Sequence, residues 1–221
     1  MSRQVKRKKV ETHISEYDFL THEAPGLIPS GFRICDVAAC NNLSVDELNN
    51  LLKESCMHDG RGMAPELYSA MAEDSLAGKI RGWLYESDEG VRWGAVFAKQ
   101  SIVDERKVMI DLICVKQANE SSHRPRNIFK SLLALVLALA VELDLGVDLE
   151  AAQIPGARYT EQNRRLLGLY EHFGFRPVRV DPEHQTDDTI YMSMDVGTAR
   201  SKYLEIIGKS AECIGSECCI T

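Results

Sequence analysis

One carboxylate, Asp111, interrupts an otherwise apolar strand pattern from Lys107 to Lys116. On the strand face it would share with Met109, Ile113 and Val115, lost hydration raises a lone carboxyl's pKa, so Asp111 is placed to accept a proton near neutral pH. Downstream, Arg124, Arg126, Asn127, Ile128 and Lys130 lead into the most apolar helical stretch of the chain. Backbone N–H groups at a helix start, with arginines and a lysine beside them, concentrate positive charge there. A further group lies between Asn163 and Phe175, where the pattern predicts a helix capped by Asn163 and stopped by Gly174, whose missing Cβ permits a left-handed turn. Tyr170 lies on its apolar face with Leu166, Leu169 and Phe173. Glu150 sits on a short strand ahead of it, and His123 and His172 are further titratable candidates.

Positioning these groups takes an alternation of strands and helices. Phe32 to Ala39 alternates as a strand. Ser44 and Glu47 then stand three apart in capping-box position ahead of a helix toward Cys56. A second helix fits Ala64 to Ala77, entered at Pro65 and closed by Gly78. The turn Ser87-Asp88-Glu89-Gly90 joins strands Ile80 to Glu86 and Arg92 to Val103. Lys107 to Lys116 is apolar on both faces, as a central strand covered from each side would be. A helix over Asn127 to Leu145, a strand over Val147 to Ala151, the Tyr170 helix and two strands, Arg176 to Val180 and Thr189 to Val196, complete the body. Seen whole, the chain divides into an irregular basic segment over 1–30, one domain over 31–196, and a short helix with a Cys-rich tail over 197–221.

The length of 221 residues and 44% apolar content suit one domain with one substantial core. A formal net charge of -7 argues against a general nucleic-acid binder, because phosphate-backbone affinity needs clustered Lys and Arg. No secretory signal is evident, so a cytoplasmic, reducing compartment is expected, in which the seven cysteines need no pairing and Cys35, Cys40, Cys56 and Cys114 are small core residues. No paired C-x-x-C spacing points to a metal. The run Leu132 to Val141 is too short to span a bilayer and reads as a buried helix.

Asn163, Leu169-Tyr170 and Gly174-Phe175 stand at the offsets of the last motif of the GNAT superfamily of acyl-CoA-dependent N-acyltransferases, which the segment resembles. The element order agrees with that resemblance. It implies an α/β fold: a central mixed sheet of about seven strands with helices on both faces. It also implies acetyl-CoA as acyl donor, no metal, and direct transfer to a primary amine of a protein or small molecule. In the family's phosphate-binding pattern (Arg or Gln, two spacers, Gly, one spacer, Gly or Ala), Arg124 matches, while Asn127 and Phe129 replace the two small residues. The resemblance thus assigns Val115, Arg124, Arg126, Asn127, Ile128, Lys130 and Asn163 to the cofactor. Tyr170 would be the acid facing the sulfur, with Glu150 or Asp111 as base. A register shifted to Ser121, Ser122 and His123 is an alternative for the phosphates. Arg158, Tyr159 and Glu161, in the long connection ahead of Asn163, are candidates for acceptor specificity. The departures at Asn127 and Phe129 leave a second reading open, a GNAT-shaped interaction module without catalysis, directed at a host cell. The terminal Cys218-Cys219-Ile220-Thr221 resembles a prenylation signal, and a lipid there with the basic start would give two membrane anchors.

Overall fold

The computed structural model describes residues 27–40, 43–56, 65–116, 127–152, 160–181 and 189–208. Arg124, Arg126, Arg158, Tyr159, His123, the basic start and the Cys218 tail lie outside them. Strands β1 (Phe32–Asp36), β2 (Arg81–Ser87), β3 (Arg92–Gln100), β4 (Lys107–Val115), β5 (Gly146–Ala152), β6 (Arg176–Pro177) and β7 (Thr189–Met194) make one seven-stranded sheet in the order β1-β2-β3-β4-β5-β7-β6. All neighbours are antiparallel except β4 and β5, which the helix α3 (Ile128–Glu142) connects as a crossover. This is the mixed sheet expected from the sequence.

The helices α1 (Val45–Cys56) and α2 (Pro65–Leu76) cover one face, while α3, α4 (Thr160–His172) and α5 (Val196–Ile206) cover the other. The capping box forms as the sequence indicates: Ser44 N–H donates to Glu47 Oε2 at 2.9 Å and Glu47 N–H to Ser44 Oγ at 3.2 Å. Leu48 and Leu52 then reach the α1 side of the sheet with no exposed surface. Fully burying each such leucine contributes about 1.5–3 kcal/mol. On the other face α3 buries Leu132, Leu133, Leu135, Val136 and Leu137 almost completely, so its apolar run is a core helix.

Two expectations need correction. The helix α4 begins at Thr160, so Asn163 lies inside it rather than capping it. Cys114, expected as a free thiol, is disulfide-bonded, and its partner is outside the described side chains.

Gly94 sets how closely α3 approaches the sheet. A Cβ there would meet the Cys114 carbonyl oxygen at 2.8 Å, Ile128 Cγ2 at 3.0 Å and Leu132 Cδ1 at 3.1 Å. Gly94→Ala is expected to lower stability by about 1–3 kcal/mol, as overpacking does. Urea unfolding measures it, and a variant as stable as the parent would show that α3 can lift away freely.

Candidate active site

The geometry of the site starts with a failure of pairing. β4 and β5 run side by side only as far as Ile110 opposite Leu149. Beyond that rung β4 continues to Val115 on the β3 ladder, and β5 continues to Ala152 on the β7 ladder. Among the described residues the facing edges of β4 and β5 then have no ladder between them, and the sheet is split near its middle.

A bulge on β4 coincides with the start of the split. Ala98 stands opposite Ile110 and Phe97 opposite Leu112, so Asp111 is an extra residue in the register. Such an insertion bends the strand that carries it and increases its twist. It also reverses the alternation of side chains. Val108 and Ile110 belong to the α3-side core before it, whereas Ile113 and Val115 pack on that side after it and Leu112 and Cys114 pack toward α1 and α2. The expected common face of Met109, Asp111, Ile113 and Val115 is therefore corrected, because Met109 and the last two point to opposite sides. Asp111 is not a lone carboxylate either. Lys99 Nζ lies 2.7 Å from its Oδ1, and its side chain is 18% exposed.

Glu150 occupies the corresponding place on β5, the first residue past the last rung. Val147, Leu149 and Ala151 point into the α3-side core, so Glu150 points the other way, as Asp148 does. Desolvation raises its carboxyl above the ordinary carboxylate range and the nearby Asp111 charge adds to that, while a hydrogen bond from Thr189 and the Lys99 charge pull it down.

Beside it, Asp148 has no exposed surface. Tyr191 Oη donates to its Oδ2 at 2.7 Å, Ser101 Oγ donates to the same oxygen at 3.0 Å, and Lys107 Nζ lies 3.2 Å from Oδ1. Tyr191 is the cross-strand partner of Glu150, so this buried cluster fixes the pleat that carries it. Sequence reasoning missed the cluster and Lys99. Their only linear signal is a polar residue inside an apolar strand pattern, and the cross-strand register assembles them.

Tyr170 lies on the opposite side of the sheet, in the α3-side core and 8% exposed. Its helix ends as the sequence predicts. Gly174 has φ 95°, Gly174 N–H donates to the Glu171 carbonyl at 2.9 Å and Phe175 N–H to the Tyr170 carbonyl at 3.1 Å. The Tyr170 ring meets Phe175 edge-on at 6.0 Å between centroids and Phe129 at 6.3 Å, and Phe129 meets Phe173 at 5.3 Å. The Phe129 ring is thus committed to the seam between α3 and α4.

At the start of α3, Asn127 is the N-cap residue, with φ 67° and no capping hydrogen bond from its side chain. Asparagine is among the few residues other than glycine that tolerate this left-handed conformation. Asn127 therefore supplies a backbone turn that most side chains would resist. The first bond of the helix runs from Ser131 N–H to the Asn127 carbonyl at 2.9 Å. The N–H groups of Ile128, Phe129 and Lys130 precede it and have no acceptor within the helix, which suits them to an anion. The Ile128 side chain itself is core, 2% exposed, so only its backbone can serve a ligand. Val115 stands opposite Gly94 at the free end of β4, beneath this helix start.

A separate cavity of about 560 Å³ lies at the paired end of the sheet, lined by Lys107, His172, Arg176, Ser193, Asp195 and Lys202 among others. It is remote from the split, since Lys107 opens β4 and Met194 closes β7.

No protein-family profile matches the chain, and no curated protein matches it in sequence. Solved structures do match. An acetyltransferase of the GNAT family from Staphylococcus aureus Mu50 superimposes with a TM-score of 0.55 at 15% identity, over 75% of this chain and 99% of that one. PH1933 from Pyrococcus horikoshii OT3 gives 0.52 at 13% identity, over 74% and 98%. A chimera of spermidine N-acetyltransferase SpeG from Vibrio cholerae and hSSAT gives 0.50 at 17% identity, over 77% and 99%. The protein has the GNAT fold.

The raised Glu150 carboxyl makes a signed prediction. A carboxyl that ionises less readily folded than unfolded disfavours the native state as pH rises through its range. Glu150→Gln should therefore melt above the parent at pH 7, and the gap should close as pH falls below the ordinary carboxylate value. Melting curves across that range test it, and a gap independent of pH would contradict the assigned environment.

Proposed function

We propose that the protein is an acyl-CoA-dependent N-acyltransferase with acetyl-CoA as donor and a primary amine, of a protein or a small molecule, as acceptor. The single observation that carries this reading is the split between β4 and β5. The split frees backbone edges beside two carboxylates, Asp111 and Glu150, while the amide-bearing start of α3 and the Tyr170 ring belong to the other side of the sheet. The three structures named above support an amine acceptor only by analogy of fold, since one of them is a spermidine N-acetyltransferase chimera.

The donor supplies an activated thioester when bound. The amides of Ile128, Phe129 and Lys130 would hold its diphosphate, with the Lys130 cation beside them and with Arg124 and Arg126 shortly before them in the sequence. Glu150 is the stronger candidate for base, because burial raises the proton affinity of its carboxylate, while Asp111 is paired with Lys99. Tyr170 would protonate the departing sulfur from the α4 side. A second reading, an interaction module of the same shape, draws on Phe129, whose ring stands where the family pattern has a small residue and rests on Tyr170.

Melting curves with increasing acetyl-CoA separate the two, since a ligand that binds only the native state raises the midpoint with concentration. A saturable rise is expected, and no shift at millimolar concentrations favours the module. With spermidine as probe acceptor, thiol release by a folded Tyr170→Phe protein should fall by about 100-fold or more, the range for a lost general acid. Parental turnover in that variant would remove the phenol from the chemistry.

A further inference from the structure

Lys99 stands opposite Met109 on the β3–β4 ladder, just ahead of the bulge. Its side chain lies along the sheet with Nζ 2.7 Å from Asp111 Oδ1. Asp111 and Glu150 are the first residues of their strands past the last shared rung, so this amine sits at the apex of the split. The charges of Lys99 and Asp111 both act on the Glu150 carboxyl, which puts the three groups in one electrostatic neighbourhood. Lys99 is not locked into the core either, because its side chain is 39% exposed. The ammonium end therefore reaches solvent, although its Asp111 partner is mostly buried. The primary ammonium lies beside Asp111, on the side of the sheet that also carries Glu150, where an external acceptor would meet a thioester held in the split.

We propose that Lys99 is a self-acylation site, the first amine to accept an acyl group from a thioester bound in the split. The inference rests on the acyltransferase reading and adds to it an internal substrate. The Lys99 ammonium gives one proton to the Glu150 carboxylate, and its lone pair attacks the thioester carbonyl carbon. The C–N bond forms as the C–S bond breaks. Sulfur leaves with the bonding electrons and takes the phenolic proton of Tyr170, and the second proton lost from nitrogen returns through water to the phenolate. The products are an amide at Lys99, a free thiol and a protonated Glu150. The modification also removes the cation that neutralises Asp111, which leaves the apex more attractive to an incoming ammonium.

The test incubates the full-length protein with acetyl-CoA and follows acetylation of each lysine by peptide mass spectrometry. Lys99 is expected to be modified ahead of Lys107 and Lys130, at a rate per molecule that does not depend on protein concentration. Glu150→Gln should slow Lys99 modification by about 100-fold or more, and Lys99→Arg, which keeps the charge and the ion pair, should abolish that signal without lowering the melting temperature. Acetylation of spermidine by a protein whose Lys99 stays unmodified would overturn this proposal alone. Equal Lys99 modification in the parent and Glu150→Gln would reduce it to unassisted thioester chemistry and overturn it as well. Absence of any acetyl-CoA melting shift would remove both this inference and the acyltransferase reading.

Discussion

The structure depends on a single extra residue in one strand. Two strands of a parallel pair stay together only while their edges remain parallel and in register, and the inserted Asp111 ends that condition on β4 at the rung after Ile110. Because β4 stays hydrogen-bonded to β3 and β5 to β7, the separation costs no more than the missing rungs between them. The same insertion turns Ile113 and Val115 onto the α3 side, where they help seat that helix above the free end of β4. Opening, helix seat and placement of Asp111 thus share one origin.

Electrostatics then decides what the opening can hold. Asp148, with no exposed surface, would be costly as an unpaired charge, by several kcal/mol even after relaxation. Tyr191 and Ser101 donate to its Oδ2 and the Lys107 cation stands beside Oδ1, which marks it as a structural acid. Asp111 and Glu150, nearer the opening, are treated differently. Asp111 is offset by a half-exposed lysine, and Glu150 is left with the weaker compensation of a hydroxyl and a more distant cation. Compensation is therefore fullest at Asp148, in the paired part of the sheet, and weakest at Glu150, beside the split.

The opposite face is organised by aromatic rings. Phe129, Tyr170, Phe173 and Phe175 join the first turn of α3 to the end of α4, with each ring pair adding about 0.5–1.5 kcal/mol beyond its buried area. A small residue in place of Phe129 would loosen that seam. The bulky Phe129 ring therefore has a packing role, and Asn127 before it holds a left-handed backbone.

The sequence by itself determined the elements and their order, because helix periodicity, the Ser44–Glu47 box, Gly174 and the apolar strand runs are local signals that tertiary packing had no reason to override. It also placed Tyr170 on a buried helix face and Glu150 at a strand end. The bulge was not legible, since one inserted residue leaves no mark in an apolar run, and the face assigned to Asp111 failed for that reason. Lys99, Asp148 and Tyr191 acquired their partners only through cross-strand register, which pairs residues far apart in the chain. Register is fixed by the summed packing of both sheet faces, a property of the folded whole that no short stretch of sequence encodes.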